Sequence, residues 1–319
     1  MMFCSCNRAR DRNAIVASFA AAAVLIAGAA ADRAESAARI IPAHSAASAQ
    51  EAMMQGEHIS IRTIGSGPAV FLIPGLSSPR AVWDGVAPGL AANHTVHLVQ
   101  VNGFGGGDPR ANLEPGVLDG IVAELRGFIA ERGIESPAIV GHSMGGLVGL
   151  MLAARHPDAV GRLMVVDAFP FFGTVMGAET VDAIRPRAEQ MRAMLLAQAE
   201  TGEATAGPVT SDPGGIWSIT PEGRIQVANW SRAADQRVVA QAMYEDMVTD
   251  MRPELEAITA RPFTVLYAAG MGEAQARAIW EPQYAGSGAR MVAVPDSYHF
   301  IMLDQPEAFA AELEEFLAR

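Results

Sequence analysis

The sequence contains little cysteine. Only Cys4 and Cys6 occur among 319 residues, and both precede a long apolar run near the start of the chain. Neither lies behind that run, where the cysteine of a lipoprotein would be. If the run is removed with its leading residues, the rest of the chain has no thiol, which excludes disulfides, a thiolate nucleophile and cysteine metal sites.

Positive charge is also scarce, with 23 Lys and Arg against 35 Asp and Glu and a formal net charge of -12. No basic stripe occurs, and phosphate backbones require clustered Lys and Arg, so nucleic acid is excluded as a partner. No pair of His or carboxylates shows the spacing of metal ligands. The glycines of 103–107 fail the dinucleotide spacing, so neither a metal nor a cofactor is expected.

The first residues have the pattern of a secretory signal. Arg8, Arg10 and Arg12 precede an apolar, alanine-rich run at 14–31 that is short for a membrane span. We therefore expect 1–31 to be a cleaved signal peptide, the mature protein to be secreted or periplasmic, and no stable membrane span to remain. Residues 32–55 are rich in Ala, Ser and Glu, which is typical of a flexible linker.

From residue 56 to 319 the sequence alternates strand-like and helical stretches. Apolar runs at 69–73, 95–101, 138–140 and 163–166 are separated by helical periodicity, a pattern typical of a mostly parallel sheet with helices on both faces. Between 168 and 260 strong strand patterns are missing. This segment is predicted to be a helical insertion that caps the strand ends.

One segment of the chain indicates a nucleophile. Residues 138–146 fit the pattern G-x-S-x-G, with a strand-like run before Ser143 and an apolar helix after it. Gly141 and Gly145 are needed there because backbone and helix approach closely around a strained turn. A serine that only caps the helix is the alternative, but the strand and the helix around the motif favour a nucleophile.

With these motifs the chain resembles α/β-hydrolases over about residues 56 to 319. The resemblance rests on Pro74-Gly75-Leu76, Gly103-Phe104-Gly105, the Gly-His-Ser-Met-Gly-Gly turn at 141–146, and Ser297-Tyr298-His299 before a helix. It implies the α/β-hydrolase fold and a serine hydrolase that needs no external cofactor. It implies little about the substrate, because this fold carries many chemistries.

In that fold the order along the chain is nucleophile, acid, histidine, so the base must follow Ser143. Only His156 and His299 do so among the seven histidines. His156 ends the helix that starts at the serine, about 20 Å away at 1.5 Å per residue. His299 is therefore the expected base. His142, next to the serine, is expected to line the turn or the substrate pocket, and Phe169 is expected to bind substrate.

The acid is open between two carboxylates. The family's usual position follows the strand at 263–268, where Ala269-Gly270-Met271-Gly272-Glu273 contains no aspartate, so Glu273 is the candidate there. Asp167 is the rival at the end of the strand after the nucleophile helix, where some members carry their acid. We favour Asp167, while Asp296 is expected to be a turn residue.

The resemblance also implies an oxyanion hole made by the backbone N–H groups of Met144 and Leu76. The methionines of the insertion are expected to pack in a core, with a flexible apolar acyl pocket as the alternative reading.

The leading hypothesis is hydrolysis of a small, ester-like carboxylic substrate through an acyl-enzyme on Ser143. Amidase, lactonase, carbon–carbon hydrolase or acyltransferase activity are the alternatives among enzymes. Dehalogenase and epoxide hydrolase activity are disfavoured, because those relatives use a carboxylate nucleophile. From another class, a non-catalytic ligand-binding protein on the same fold remains open, since the usual aspartate after Ala269 is missing.

Overall fold

A computed structural model describes residues 52–201 and 207–319. The predicted signal peptide, 1–31, and the predicted linker up to residue 51 lie outside the described residues.

The centre of the fold is an eight-stranded sheet in the order β1-β2-β4-β3-β5-β6-β7-β8. Strands β1, β2 and β4 pair antiparallel, and every other neighbouring pair is parallel, which confirms the predicted mostly parallel sheet. The strands are β1 Ala52–Gln55, β2 Ile59–Gly65, β3 Ala69–Ile73, β4 Thr95–Val101, β5 Ala138–His142, β6 Arg162–Val166, β7 Phe263–Ala268 and β8 Arg290–Val294.

Helices lie along the sheet and between its strands. The described α-helices are α1 Ala87–Leu90, α2 Val117–Glu131, α3 Met144–Arg155, α4 Val181–Thr201, α5 Pro221–Ala233, α6 Gln236–Val248, α7 Glu273–Trp280, α8 Ile301–Asp304 and α9 Pro306–Ala318. The sheet separates two apolar cores because side chains alternate along each strand. In β3, Phe71 and Ile73 enter one core, while Val70 and Leu72 enter the other.

The first strand differs from the sequence expectation. Ala52–Gln55 falls inside the stretch predicted as flexible linker, 32–55, yet it pairs antiparallel with β2. These four residues form an exposed edge strand, and their ladder partner supplies the order that their own composition does not indicate. The folded part of the chain therefore begins before residue 56.

The segment between β6 and β7 contains α4, α5 and α6, within the range predicted as a helical insertion. Side-chain caps start two of these helices: Thr220 accepts a hydrogen bond from Gly223 N, and Asp235 accepts one from Arg237 N. The longest of them, α4, packs along α6. We refer to residues 168–260 as the cap segment.

The cap segment is attached to the main body by Glu245 on α6. Its carboxylate accepts hydrogen bonds from Gly116 N at 2.7 Å, Val117 N at 3.2 Å and Leu118 N at 2.9 Å. These are unpaired N–H groups at the start of α2, where the helix dipole favours a negative charge. One side chain thus joins two helices that are distant in sequence.

We predict that Glu245→Ala lowers the free energy of unfolding by about 2 kcal/mol, because the start of α2 loses a charged acceptor. Urea unfolding followed by circular dichroism measures this change. Glu314→Gln, at an exposed position of α9, is the control and should leave the midpoint unchanged. Equal midpoints for Glu245→Ala and the unaltered protein would contradict the assigned role.

Candidate active site

Ser143 lies at the turn between β5 and α3, as the sequence predicts. Its backbone has φ 54° and ψ -125°, a strained conformation that residues with a side chain rarely adopt. A Cβ at Gly141 would lie 2.1 Å from the backbone oxygen of Gly145, and one at Gly145 would lie 2.4 Å from that of Ile73. Only glycine therefore fits on either side of this serine.

The loop after β3 packs against the same turn. A Cβ at Gly75 would lie 2.9 Å from Ser143 Cβ, so this loop lies directly beside the serine. Leu76 follows in that loop, and no hydrogen bond of the described residues uses its backbone N–H. Met144 begins α3, where the first N–H groups have no partner within the helix. The two N–H groups predicted for an oxyanion hole thus belong to segments that adjoin Ser143.

Asp167 follows β6, next to the strand that leads to the serine. Ser143 N donates to Val166 O at 2.9 Å, so the two turns begin side by side. Asp167 is buried and has φ 49°, and its Oδ1 accepts a hydrogen bond from Ala268 N at 2.7 Å. Its backbone and one of its carboxylate oxygens are therefore held by β7.

The second carboxylate oxygen of Asp167 reaches His299. His299 Nδ1 lies 2.7 Å from Asp167 Oδ2, and the histidine side chain is 15% exposed. A carboxylate only accepts hydrogen bonds, so Nδ1 carries the proton and Nε2 is the basic nitrogen. The structure thus brings Asp167 and His299 together.

The other acidic candidates lie elsewhere. Glu273 begins α7, its side chain is 60% exposed, and it pairs with Arg277 at 2.8 Å. The loop between β7 and α7 adjoins the histidine loop, because Gly270 N donates to Ser297 O. After this contact, Gly272 at φ 103° turns the chain into α7, which begins at Glu273. Asp296 occupies an exposed turn with φ 49°, as predicted.

His142 lies in the turn beside Ser143, and a contact between His142 and substrate stays a prediction. It is fully buried, and its Nε2 donates to the backbone oxygen of His299 at 3.0 Å. Burial, and the nearby His299, keep the pKa of His142 well below its ordinary value, so the ring is neutral. Its contacts hold the backbone of the histidine loop.

Phe169, the second residue predicted to bind substrate, lies two positions after Asp167 and is half-buried. Its ring stacks on Trp280 with the centroids 3.8 Å apart and 14° between the planes. This stack fixes the beginning of the cap segment against α7. A contact between Phe169 and substrate stays a prediction.

Asp304 connects the cap segment to the histidine loop, a role that the sequence does not indicate. One of its oxygens accepts from Ser218 Oγ at 2.5 Å and from Ile219 N at 3.1 Å, and the other accepts from Tyr298 N at 2.7 Å. No motif marks this aspartate, because its partners are 86 and six residues away in the chain. Its hydrogen bonds position the loop that contains His299.

Trp217 borders His299 from that part of the cap segment. Its ring lies edge-on to the imidazole with 5.4 Å between centroids, and its backbone oxygen accepts from Phe300 N at 2.9 Å. Asp246 on α6 is a further residue that the sequence analysis does not indicate. Burial raises the pKa of Asp246 to about 7, and the nearby His299 partly offsets this rise.

Across 52–201 and 207–319, no group of three or more His, Cys, Asp or Glu side chains could hold a metal ion. No helix in these two ranges is long and apolar enough to cross a membrane.

Comparisons with known proteins agree with this geometry. A model of the Alpha/beta hydrolase family matches residues 70–312. The N-formylmaleamate deformylase of Pseudomonas putida is 25% identical over 264 residues, covering 81% of this chain and 91% of that protein. The enol-lactonase of Burkholderia xenovorans superposes with a TM-score of 0.62 at 21% identity, covering 82% of this chain and 96% of that one, so the two share the fold.

A shorter match carries higher identity. The pimeloyl-[acyl-carrier protein] methyl ester esterase of Aeromonas hydrophila is 34% identical over 114 residues, which are 36% of this chain and 43% of that protein. The chain thus matches less than half the length of this esterase.

We predict that Gly141→Ala destabilises the fold by about 3 kcal/mol, because its methyl group overlaps a backbone oxygen that cannot move aside. Gly127→Ala on α2 is the matched control: its methyl group meets nothing within 4 Å. Helix propensity makes this control more stable by about 0.5 to 1 kcal/mol. Thermal unfolding of both variants tests the pair, and equal shifts would contradict the steric argument.

Proposed function

This chain belongs to the alpha/beta hydrolase family, and on that premise we propose that it cleaves carboxylic esters through an acyl-enzyme on Ser143. The observation that carries the proposal is the 2.7 Å contact between Asp167 and His299, beside a serine held in a strained turn between strand and helix. Those three side chains have the roles of acid, base and nucleophile in the proposed mechanism.

In the first half of the reaction, His299 Nε2 takes the proton of Ser143 Oγ while the oxygen attacks the ester carbonyl. The carbonyl oxygen gains negative charge, and the N–H groups of Leu76 and Met144 stabilise it. Collapse of the tetrahedral intermediate breaks the bond to the alcohol oxygen. That oxygen leaves with the proton that His299 returns to it.

In the second half, water attacks the acyl-enzyme, and His299 takes the proton of the water. The second tetrahedral intermediate releases the carboxylic acid, and His299 returns the proton to Ser143. Asp167 does not take the proton. It holds the imidazole in the correct tautomer and stabilises its positive charge at each step.

An ester is the favoured substrate because one relative is a pimeloyl-[acyl-carrier protein] methyl ester esterase, and we propose a small molecule as the ester that this chain cleaves. Amide cleavage is the second candidate, since one of the relatives matched over most of both chains is an N-formylmaleamate deformylase. The same nucleophile and base serve both reactions. A non-catalytic role loses its main argument, because Asp167 supplies the carboxylate that the loop after β7 lacks.

We further propose that the protein is exported, from the signal pattern of 1–31. Expression of the full chain in a bacterial host, followed by fractionation and terminal sequencing, tests this. A periplasmic or secreted product that begins near residue 32 is the expected result. A cytoplasmic product that still starts with Met1 would contradict it.

We predict that a fluorophosphonate probe labels the protein, and that Ser143→Ala and His299→Ala abolish both labelling and turnover of p-nitrophenyl esters. A folded protein that remains unlabelled and inactive would overturn the proposed function. Turnover that survives in Ser143→Ala would assign the chemistry to another group.

A second prediction separates the two carboxylates. Asp167→Asn should lower kcat by about 10⁴-fold, because His299 loses control of its tautomer. Glu273→Gln removes one charge from an exposed ion pair, and its kcat should stay within about twofold of the unaltered enzyme. The reverse order of these effects would assign the acid to Glu273.

A further inference from the structure

His142 is a buried histidine whose two ring nitrogens face different loops of the candidate site. It ends β5 and directly precedes Ser143. Its Nε2 lies 3.0 Å from the backbone oxygen of His299. A carbonyl oxygen only accepts hydrogen bonds, so Nε2 carries the proton and Nδ1 has a free lone pair. The side chain therefore donates one hydrogen bond, to the backbone of the expected base.

The other ring nitrogen lies against the loop after β3. A Cβ at Gly75 would lie 2.9 Å from His142 Nδ1 and 2.9 Å from Ser143 Cβ, so the loop, the serine and this nitrogen meet. Nδ1 is buried, and no group within 52–201 and 207–319 forms a hydrogen bond with it. One imidazole thus lies between the histidine loop and the loop that contains the Leu76 N–H.

The unpaired nitrogen of His142 makes histidine a costly residue at this position. A buried acceptor without a donor lowers the free energy of unfolding. Phenylalanine has a ring of similar shape and would avoid this cost, but it has no N–H group for the carbonyl oxygen of His299. The N–H group is therefore the feature that distinguishes histidine here, and its one partner is the backbone of the base.

That hydrogen bond joins the histidine loop to the strand of the serine. The N–H groups of the residues on either side of His299 bond elsewhere, one to Asp304 and the other to the backbone oxygen of Trp217. His142 instead holds the carbonyl of His299 itself from the position next to Ser143. The distance between the base and the nucleophile is thus linked to a contact outside the three catalytic side chains.

The imidazole of His299 needs two fixed points to keep its orientation. Asp167 holds its Nδ1 at 2.7 Å, and a ring held only there can turn about that hydrogen bond as the loop moves. His142 fixes the backbone from which the ring projects, and the two histidine rings pack with their centroids 4.6 Å apart. Proton transfer depends steeply on geometry, so a small shift of this backbone lowers the rate.

We propose that His142 is a positioning residue for catalysis: the hydrogen bond from its Nε2 to His299 O holds the imidazole of His299 in place to take the proton of Ser143. The role requires no contact with substrate and no proton transfer by His142. This inference rests on the proposed function, because it concerns the same base and nucleophile.

Two substitutions separate the hydrogen bond from the ring. His142→Phe keeps a ring of similar size and removes the donor. His142→Gln removes the ring but carries an amide N–H at the same number of bonds from Cβ as histidine Nε2, so it can donate to His299 O. We expect His142→Phe to lower kcat for p-nitrophenyl esters by about 10- to 100-fold and to leave KM within about twofold, because the base moves and the substrate site does not. His142→Gln should keep kcat within about threefold of the unaltered enzyme.

Fluorophosphonate labelling separates a displaced base from unfolded protein. The final extent of labelling counts the folded sites, and kcat is calculated per labelled serine. The rate of labelling reports how reactive Ser143 is, so His142→Phe should react slowly but completely. His156→Phe is the matched control, because His156 lies at the far end of α3 from the serine. Its labelling rate and kcat should equal those of the unaltered enzyme.

Proton NMR gives a readout that needs no turnover. The Nδ1 proton that His299 shares with Asp167 gives a resonance far downfield, and Asp167→Asn identifies the resonance by removing it. A displaced imidazole weakens this hydrogen bond. We therefore expect the resonance to move upfield or broaden in His142→Phe and to stay in place in His142→Gln and His156→Phe.

An unchanged kcat and an unchanged resonance in His142→Phe would overturn this inference while hydrolysis itself continues. A loss of kcat that His142→Gln shares would also overturn it, because the ring and not the hydrogen bond would then be responsible. Absence of turnover and labelling in the unaltered protein would instead contradict the proposed function. In that case the resonance still decides: a shift in His142→Phe that His142→Gln lacks supports the positioning role, and equal behaviour of the two variants overturns it.

Discussion

The site depends on the carboxylate of Asp167, which joins three parts of the chain. One oxygen is held by the backbone of β7 and the other by the imidazole of His299, while the residue itself follows the strand beside the serine turn. The parallel order β5-β6-β7 places these strand ends at one edge of the sheet. Backbone strain at Ser143 and Asp167 persists because the surrounding strands and helices fix both turns.

Two carboxylates contribute to the polar contacts that hold the cap segment to this edge. Glu245 joins α6 to the start of α2, and Asp304 joins the loop before α5 to the loop of His299. Each carboxylate accepts backbone N–H groups that would otherwise lack partners within their own element. The position of the cap over the imidazole is therefore coupled to the position of the imidazole itself.

The relatives share a scaffold with this chain but differ from one another in activity. An esterase, a deformylase and a lactonase share the scaffold or part of its sequence, and the activities in their names differ in the bond that is cleaved. Several activities on one scaffold mean that the fold by itself does not determine the substrate of this chain.

The sequence by itself determined the parallel sheet and the serine turn, because these depend on periodicity and on glycines within a few residues of Ser143. It indicated His299 only through the chain order that the family resemblance implies. It left the acid open between Asp167 and Glu273, and it left His142 open between the serine turn and the pocket. It gave no sign of Asp246 or Asp304. Only the tertiary structure decided these points, because contacts between residues far apart in the chain leave no local pattern. The burial of His142 and the position of Glu273 at the start of α7 both result from tertiary packing.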